Sequence, residues 1–444
     1  MPFSPWPPPD VPDVDLASFA LRHAVRLADR PALIDGDRVV TYAELAERAQ
    51  RATADRSVVA LRRPNGAEFV FELLGALRAG AAVTPVSPLF TEREAANQLR
   101  IADTLDDPGD IALLLSSSGT TGLPKLVQLS HRAAIASICQ FEVPFPYREG
   151  ERVLGLAPFF HVMGLSCVLL HGLSSGATVV TMPRFDLEDM LRTIERHAIS
   201  QVLVPPPVLN ALAHHPLVDS FDLSSLRVVG VGGAPSTAEL EQAASERLGC
   251  LVGQGYGMTE TGPMIAVTTT DPPLVRHGSV GRLVPGTEAQ IVDGEVWVRG
   301  PQLMSGYLGD PEATAATIDA DGWLHTGDLG RFDDDGFLFL GDRVKELIKV
   351  KGFQVAPAEL EGLLRAHPAV ADAAVVGVPD EAAGERPVAF VVARGELDRD
   401  ELMAAIAEQA APYKQLREIV EVDALPRSPT GKLLRRLLVT EAVA

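Results

Sequence analysis

The stretch that decides the fold runs from Ser116 to Lys125 and reads SSSGTTGLPK. It follows an apolar segment at 111–115 that is typical of a short buried strand, and a helical pattern begins at about His131. Glycines let a backbone approach phosphate closely, hydroxyl groups donate to its oxygens, and an ammonium group supplies positive charge. A Walker A loop is excluded, because Pro124 precedes the lysine and no Gly-Lys-Ser or Gly-Lys-Thr is present. With a strand before it and a helix after it, the segment predicts a phosphate-binding loop rather than a Ser/Gly linker.

Strands and helices alternate on both sides of this loop. Upstream, strand-like stretches at 57–62 and 81–86 flank a helix at 66–79, and Thr41 is placed to cap a helix through Gln50. Downstream, strands are predicted near 153–157, 177–181, 201–204 and 227–231, with helices between them. This alternation predicts an α/β fold whose sheets are largely parallel.

The pattern changes after residue 278. Up to Gly341 short strands alternate with glycine turns, which predicts a small β-barrel-like part of the large N-terminal domain. Helices and strands then alternate again, which predicts a small α+β C-terminal domain. The expected organisation is a large domain over 1–341, a hinge over 342–345 and a small domain over 346–444.

Composition restricts the possible partners. The 444-residue chain carries 39 Lys and Arg against 59 Asp and Glu, a net charge of −20, which disfavours nucleic acid and membranes as partners. The three cysteines, Cys139, Cys167 and Cys250, are far apart, which disfavours disulfides and structural zinc and favours a cytoplasmic location. The N-terminus lacks the features of a signal peptide. Residues 153–183 contain no Asp, Glu, Lys or Arg, but Pro158 and two histidines favour a buried core over a membrane span.

Lysine is scarce in this chain, and its placement is informative. The six lysines are Lys125, Lys345, Lys349, Lys351, Lys414 and Lys432, and the other 33 basic residues are arginines. A lysine ammonium is a compact charge on a flexible stem that reaches phosphates well. Five of the six lie in glycine-rich or turn-rich segments, so these segments are predicted to be site loops.

Taken together, the motifs resemble those of the adenylate-forming superfamily, which comprises acyl-CoA synthetases, nonribosomal peptide adenylation domains and luciferases. SSSGTTGLPK resembles the phosphate loop of that family. Further segments resemble its motifs in the same order: PFFH at 158–161, GGAP at 232–235, GQGYGMTE at 253–260, HTGD at 325–328, GDRVKELIKVKGFQVAP at 341–357 and PTGK at 429–432. The similarity spans nearly the whole chain, and the 341–357 segment is most similar to the 4-coumarate–CoA ligase and luciferase branch.

The resemblance implies a set of ATP-binding residues. Loss of pyrophosphate crowds negative charge at the α-phosphate, which Mg²⁺, hydroxyl groups and a lysine relieve. By resemblance, Asp328 accepts both ribose hydroxyls with help from Arg343, although HTGD alone could be an Asx turn. The expected ATP-binding residues are Ser116, Ser117, Ser118, Gly119, Thr120, Thr121, Gly122, Lys125, Gly232, Gly233, Ala234, Pro235, Gln254, Gly255, Tyr256, Asp328 and Arg343.

The resemblance also implies catalytic groups. Thr259 is expected to donate to the α-phosphate, Glu260 to hold Mg²⁺, and Lys432 to bridge the carboxylate and the α-phosphate. The simpler interpretations are a helix-start carboxylate for Glu260 and a plain turn for SPTGK. Lys349 and Gln354 are expected to reach the acyl-adenylate for the second half-reaction.

That second half-reaction implies a mobile small domain, which rotates about Lys345 after adenylation. If there is no such rotation, Lys349 lies on an ordinary surface loop, although the scarcity of lysine argues against this interpretation.

An acyl pocket is implied beside PFFH. Its expected residues are His161, Met163, Gly164, Cys167 and Gly257. A histidine in an apolar segment is more often a core residue, but the resemblance favours a pocket role for His161. Coumarate ligases tend to carry an aromatic side chain two residues after this histidine, and Met163 offers no strong hydrogen bond to a ring hydroxyl.

The chain departs from the family in length, because only residues 100–109 separate the segment at 91–99 from the phosphate-loop strand. A βαβ-sized piece of the large domain is therefore predicted to be absent. In some CoA-using relatives this piece contacts the nucleotide end of CoA, so its absence leaves the acceptor open.

The predicted function is ATP-dependent adenylation of an aromatic or other small carboxylic acid, with transfer of the acyl group to CoA. ATP and Mg²⁺ are the expected cofactors, and the protein is expected to be a monomer or homodimer. One alternative keeps adenylation but uses a carrier-protein thiol or an amine, including diazotisation of an aryl amine with nitrite. The other is a non-catalytic nucleotide-binding regulator, which retention of Lys432, Glu260 and Asp328 disfavours.

Overall fold

The structure is a computed structural model of the full chain. It describes residues 4–53, 56–117, 125–270, 273–343, 346–350, 353–380, 383–410, 414–427 and 433–443.

Helices of the described chain fall mostly where the alternating pattern predicts them. They are α1 (Leu16–Ala20), α2 (Tyr42–Arg51), α3 (Ala67–Arg78), α4 (Glu92–Ala102), α5 (His131–Glu142), α6 (His171–Ser174), α7 (Leu187–His197), α8 (Pro206–His214), α9 (Ala238–Leu248), α10 (Pro311–Thr317), α11 (Pro357–Ala366), α12 (Arg399–Gln409) and α13 (Arg435–Val443). The Thr41 cap is confirmed, because its side chain accepts the N–H of Glu44 at 3.2 Å. A π-helical segment, Met163–Leu170, and two 3₁₀ turns, Pro216–Ser220 and Thr259–Thr261, add to these helices.

The strands of the described chain range from two to eleven residues in length. They are β1 (Pro31–Asp35), β2 (Arg38–Thr41), β3 (Val58–Leu61), β4 (Ala82–Pro85), β5 (Ile111–Ser117), β6 (Lys125–Ser130), β7 (Arg152–Gly155), β8 (Thr178–Thr181), β9 (Gln201–Val204), β10 (Val228–Val231), β11 (Leu251–Gly257), β12 (Met264–Val267), β13 (Thr269–Thr270), β14 (Pro273–Leu274), β15 (Arg282–Leu283), β16 (Glu288–Val292), β17 (Glu295–Arg299), β18 (Gly306–Tyr307), β19 (Leu324–Phe332), β20 (Leu338–Arg343), β21 (Ile348–Val350), β22 (Phe353–Val355), β23 (Val370–Asp380), β24 (Gly384–Ala393) and β25 (Glu418–Glu421).

The chain divides into two compact units. The large unit comprises Met1–Gln290, Trp297–His325 and Phe332–Phe339, and the small unit comprises Ile291–Val296, Thr326–Arg331 and Leu340–Ala444. The division therefore runs through strands β16, β17, β19 and β20. The predicted domain boundaries and the hinge at Lys345 stay predictions, and Lys345 lies outside the described residues.

Two sheets organise the large unit. The first has nine strands in the order β15-β12-β11-β10-β9-β7-β8-β1-β2. Its centre, β11-β10-β9-β7-β8-β1, is parallel throughout, whereas the pairs at its two ends are antiparallel. The second has five strands in the order β18-β6-β5-β4-β3. One apolar cluster contacts both sheets, from Val83 and Leu113 in the second to Val153 and Val179 in the first. The α/β class with parallel sheets is thus confirmed.

The shortened region is closed by a complete β-α-β connection. Strand β4 is followed by α4, whose N-terminus carries a capping box in which Thr91 and Glu94 bond each other's backbone N–H groups. Eight residues after α4 the chain enters β5, which pairs in parallel with β4 at Val83 and Leu113. The short connection therefore satisfies local helix and sheet geometry without further chain.

The small unit is built on an antiparallel sheet. Its strand order is β22-β21-β24-β23, and β25 adds to β24 in parallel. Helices α11 and α12 contribute Leu360, Leu364, Leu402 and Ile406 to its core. These elements match the predicted α+β character of the C-terminal part.

The apolar stretch at 153–183 forms core elements of the large unit. Strands β7 and β8 and the π-helical segment between them are almost wholly buried. No helix in the described part of the chain is both long enough and apolar enough to cross a membrane.

Candidate active site

Three of the predicted motifs follow parallel strands in the centre of the nine-stranded sheet. The segment 158–161 follows β7, the turn 232–235 follows β10, and residues 258–260 follow β11. Because β7, β10 and β11 run in the same direction, these segments leave the sheet at its carboxyl edge. This edge is where open α/β sheets bind ligands, so the fold brings these motifs together on one side of the large unit.

The phosphate-loop candidate lies between two paired strands. Ser116 and Ser117 end β5, and Ser117 pairs directly with Lys125, the first residue of β6. Ser118, Gly119, Thr120, Thr121 and Gly122 lie outside the described residues. The sequence did not predict β6: the loop returns into an antiparallel strand before α5 begins at His131.

Thr259 and Glu260 lie on a 3₁₀ turn that packs against β5 and β6. The turn itself is tight, since a Cβ on Gly257 would stand 1.7 Å from the carbonyl oxygen of Pro263, where the chain leaves the turn. Glu260 is buried, and its Oε1 accepts a hydrogen bond of 2.9 Å from the hydroxyl of Tyr307. The fold therefore places two predicted catalytic residues next to the two strands of the phosphate loop.

The donor set around Glu260 fits magnesium held together with a nucleotide. Within the described ranges no group of three or more His, Cys, Asp or Glu side chains could hold a metal by itself. Mg²⁺ typically binds one or two carboxylates and takes its remaining ligands from water and substrate phosphates. A buried carboxylate beside the two strands that flank the predicted phosphate loop fits that pattern, and Glu260 stays the predicted Mg²⁺ ligand.

Gln254 connects the predicted nucleotide-binding turn to the interior. Its Oε1 accepts the backbone N–H of Ser236 at 3.2 Å, directly after Gly232, Gly233, Ala234 and Pro235. Its Nε2 donates to Glu241 Oε1 at 2.6 Å. The sequence did not single out Glu241, although its place in the first turn of the helix after the GGAP turn was a usable signal.

Glu241 is a buried carboxylate surrounded by donors. Its Oε2 accepts the backbone N–H of Gly278 at 3.3 Å and lies 3.2 Å from Nδ1 of His277. Burial raises the pKa of the Glu241 carboxyl, and the hydrogen bonds from Gly278, His277 and Gln254 act in the opposite direction. Glu241 thus ties α9, β11 and the segment at 277–278 together behind the nucleotide-binding turn.

Asn65 holds the segment that carries His161. Its Nδ2 donates to the carbonyls of Gly155 and Ala157 at 2.9 and 3.0 Å, and its Oδ1 accepts the N–H of Phe159 at 2.8 Å. Asn65 was not predicted as a site residue from the sequence, although the Pro-Asn-Gly turn immediately before α3 was a usable signal. His161 itself is half-buried at the end of this segment.

Three of the five predicted acyl-pocket residues, Met163, Gly164 and Cys167, lie in the π-helical segment. Gly164 accepts no side chain, because a Cβ there would lie 2.2 Å from the Pro158 carbonyl oxygen. The sulfur of Met163 lies against Gly232, at 3.2 Å from the position of a Cβ on that glycine. A candidate pocket residue and a candidate nucleotide-binding residue are therefore in contact, as one site requires.

Cys167 lies in the apolar core of the large unit. It is buried, and its carbonyl oxygen accepts the hydroxyl of Tyr147 at 3.0 Å. The Tyr147 ring stacks on His171 at a centroid distance of 4.2 Å. Burial lowers the pKa of His171 to about 3, so this histidine is neutral in the folded protein.

The small unit carries the remaining candidates. Asp328 lies in β19, and its backbone N–H bonds Thr326 Oγ1 at 3.1 Å. Lys349 and Gln354 are direct partners across the β21–β22 hairpin, and the N–H of Lys349 donates to Glu385 Oε2 at 2.6 Å. The side chains of Gln354 and Arg343 and all of Lys432 lie outside the described part of the chain.

Comparison with known proteins identifies the class. The family described as AMP-binding enzyme matches residues 21–105 and 100–308, and the AMP-binding enzyme C-terminal domain matches residues 359–432. The chain is 37% identical to a 4-coumarate–CoA ligase of Pinus taeda over 521 positions, covering 98% of this chain and 97% of that protein. The chain therefore belongs to the AMP-binding family of adenylate-forming acyl-CoA ligases, and it is an AMP-forming ligase that uses ATP and Mg²⁺.

Solved structures agree in fold. The o-succinylbenzoate CoA synthetase MenE of Bacillus subtilis, solved with ATP and a magnesium ion, superposes with a TM-score of 0.84 and 29% identity over 95% of this chain and 99% of that chain. The amide bond synthetase McbA of Marinactinospora thermotolerans superposes with a TM-score of 0.82 and 29% identity over 95% and 99%.

The comparisons also bear on the shortened region. The alignment with the pine ligase extends over more positions than the 444 residues of this chain, so part of that ligase has no counterpart here. The two matched stretches of the AMP-binding family overlap at residues 100–105, at the C-terminal end of α4 and just after it. The part of the pine ligase that this chain lacks would therefore lie between α4 and β5.

Proposed function

We propose that this ligase activates an aromatic or similarly small carboxylic acid as an acyl-adenylate and transfers the acyl group to the thiol of CoA. In the first step a carboxylate oxygen bonds to the α-phosphorus of ATP while the bond to the β-phosphate oxygen breaks and pyrophosphate leaves. In the second step the CoA sulfur bonds to the carbonyl carbon and AMP leaves.

The observation that carries this proposal is the placement of Glu260. Its buried carboxylate lies on a turn packed against the two strands that flank the phosphate loop. A bound Mg²⁺ there would neutralise charge on the phosphates during loss of pyrophosphate. Thr259 on the same turn is proposed to donate to the α-phosphate, and Lys432 to stabilise the charge that develops at the reacting centre.

An apolar acid is favoured by the pocket side chains. Met163 lies against Gly232, and the neighbouring Gly164 leaves no side chain on that side. A thioether packs well against an aromatic ring edge but does not hydrogen-bond strongly to a ring hydroxyl. Benzoate-like or cinnamate-like acids without a ring hydroxyl are therefore proposed to be better substrates than 4-coumarate.

An amine acceptor is the second candidate. The similarity to the amide bond synthetase McbA and the loss of chain between α4 and β5 both favour it. In that reaction an amine nitrogen would attack the acyl-adenylate in place of the CoA sulfur.

The test is a panel of acids assayed for acid-dependent ATP–pyrophosphate exchange, followed by AMP release with each acceptor. The acceptors are CoA, a carrier protein, a panel of amines, and nitrite with an aryl amine. Exchange with a carboxylic acid and AMP release with CoA are the expected results. Release of AMP only with an amine would replace CoA as the acceptor, and an absence of exchange with every acid would overturn the proposal.

A further inference from the structure

Tyr307 contacts two of the predicted site residues at once. It lies in β18, where it pairs with Val127 of β6, two residues beyond Lys125. The ammonium nitrogen of Lys125 stands 4.8 Å from the centroid of the Tyr307 ring, and the hydroxyl donates to Glu260 Oε1 at 2.9 Å. One side chain thus bridges the phosphate-loop lysine and the carboxylate proposed to hold magnesium.

The acceptor of this hydroxyl distinguishes Tyr307 from two other buried tyrosines. Tyr42 donates to the backbone carbonyl of Ala177 at 2.7 Å, and Tyr147 donates to that of Cys167. Those bonds serve packing, whereas Tyr307 donates to a buried carboxylate. Charge-assisted hydrogen bonds of this kind are stronger than neutral ones and fix the orientation of the carboxylate.

Lys125 is held by the same segment of chain. Its ammonium lies 3.8 Å from a carboxylate oxygen of Asp310, and the backbone N–H of Asp310 donates to the carbonyl of Tyr307 at 3.2 Å. An ammonium over an aromatic face is attracted by the ring quadrupole. Residues 307–310 therefore offer Lys125 a ring face and a carboxylate.

We infer that Tyr307 is a positioning residue that orients Glu260 for Mg²⁺ and Lys125 for the phosphates, an inference that rests on the proposed function. The hydroxyl occupies one oxygen of Glu260, which leaves the carboxylate its other oxygen for the metal. Outer partners of metal ligands commonly contribute 10- to 100-fold to metal affinity. The ring serves Lys125 and the hydroxyl serves Glu260, so the two roles can be separated by substitution.

Two substitutions separate the roles. Tyr307→Phe keeps the ring beneath Lys125 and removes the bond to Glu260, whereas Tyr307→Leu removes both. Tyr42→Phe is the matched control, because it removes the hydroxyl of another buried tyrosine of the large unit. Thermal melting of each variant checks that the fold is retained.

The measurement is binding rather than turnover. Mn²⁺, used as the probe for Mg²⁺, is titrated by electron paramagnetic resonance in the presence of ATP, and a fluorescent ATP analogue is titrated with a chelator present. Tyr307→Phe should weaken Mn²⁺ binding by about 10-fold or more. It should leave the affinity for the fluorescent ATP analogue, measured with the chelator present, unchanged. Tyr307→Leu should weaken both, and Tyr42→Phe neither.

A double variant tests whether the Tyr307 hydroxyl affects Mn²⁺ binding through Glu260 or through a wider change in the structure. If the hydroxyl acts through Glu260, Glu260→Gln and Glu260→Gln with Tyr307→Phe should bind Mn²⁺ equally weakly. Wild-type Mn²⁺ binding in Tyr307→Phe, or additive losses in the double variant, would overturn the inference. Failure of the unchanged protein to bind ATP and exchange pyrophosphate would instead overturn the proposed function.

Discussion

Glu260 in the large unit and Glu361 in the small unit are both buried carboxylates, with 6% and 4% of their surface exposed, but their surroundings are opposite. Glu361 accepts from the guanidinium groups of Arg365 and Arg435 and from the N–H of Val375 at 2.9 Å. Glu260 accepts from the neutral hydroxyl of Tyr307, and no lysine, arginine or histidine of the described ranges forms an ion pair with it.

The difference separates a structural charge from a functional one. Removing a carboxylate from water costs several kcal/mol unless a cation or several donors compensate it. Glu361 is compensated within its own unit, so its ion pairs belong to the fold. Glu260 is compensated only in part, and a cation arriving with the substrate would complete it. The lack of a paired lysine or arginine at Glu260 among the described residues therefore supports its proposed role in holding Mg²⁺.

The largest expected effect is at Glu260. Glu260→Gln should lower acid-dependent pyrophosphate exchange by roughly 100-fold or more, because the carboxylate that would hold Mg²⁺ at the phosphates is lost. Melting temperature should hold, since the amide oxygen still accepts the Tyr307 hydroxyl. Glu151→Gln, which breaks an ion pair with Arg227, is the matched control and should keep its exchange activity. Near wild-type exchange in Glu260→Gln would make Glu260 a structural carboxylate after all.

Asp328 is a second buried carboxylate with a predicted role in binding the nucleotide. Asp328→Ala should weaken ATP binding by roughly 3 kcal/mol, because two charge-assisted bonds to the ribose hydroxyls are lost. Titration calorimetry with ATP measures this directly, and 2′,3′-dideoxy-ATP is the control ligand, which should bind both proteins alike. An unchanged affinity for ATP would remove Asp328 from the site.

Substitution of Glu361 should lower the stability of the small unit, in contrast to substitution of Glu260, which should lower activity. Glu361→Gln leaves two guanidinium groups without their shared carboxylate and should destabilise the small unit by about 3 kcal/mol. Hydrogen exchange of the β23 and β24 amides reports this loss for the small unit alone. The control is Glu359→Gln, because its pair with Lys414 at 2.7 Å is more exposed and should contribute under about 1 kcal/mol. Equal losses of stability in Glu361→Gln and Glu359→Gln would show that the buried ion pair contributes no more than the surface pair.

The smallest effect concerns pH and Glu241. Because burial raises the pKa of this carboxyl above its unfolded value of about 4.5, the folded state holds the proton more tightly than the unfolded state. The contribution of Glu241 to stability is therefore full at low pH and is lost as pH rises through the folded pKa. The free energy of unfolding of wild type relative to Glu241→Gln should fall over that interval and then level off. His277→Gln is measured in parallel because His277 contacts the same carboxylate, and a pH-independent difference would refute the raised pKa.

Periodic and local signals predicted most of the fold. The cap at Thr41, the helix at 66–79 and the strands near 153–157 and 227–231 follow from side-chain patterns within a few residues. The family motifs also located the turn with Thr259 and Glu260. These features were predictable because the interactions that define them lie close together in sequence.

Features that depend on distant contacts were missed. Tyr307 lies in a two-residue strand whose partner, β6, is about 180 residues earlier in the chain, and no local pattern announces that pairing. Strand β6 was not predicted either, because the sequence pattern placed a helix as the next element after the phosphate loop. The π-helical segment was also not predicted, and its close contact between Gly164 and the Pro158 carbonyl is one that hydropathy cannot reveal. The scarcity of tyrosine, five in the chain, was a signal comparable to that of lysine.

Because all three thiols of the chain are buried in the large unit, their rate of labelling reports how often this unit opens. Cys139, Cys167 and Cys250 are buried there, and burial raises the thiol pKa to about 11 for Cys139 and about 12 for Cys250. Only a thiolate reacts with common thiol reagents, so labelling at neutral pH records the moments when this unit opens. The small unit contributes no sulfur nucleophile, since the sequence has no cysteine after residue 250. The labelling half-time with and without ATP would therefore measure opening of the large unit alone, because the small unit has no thiol to label.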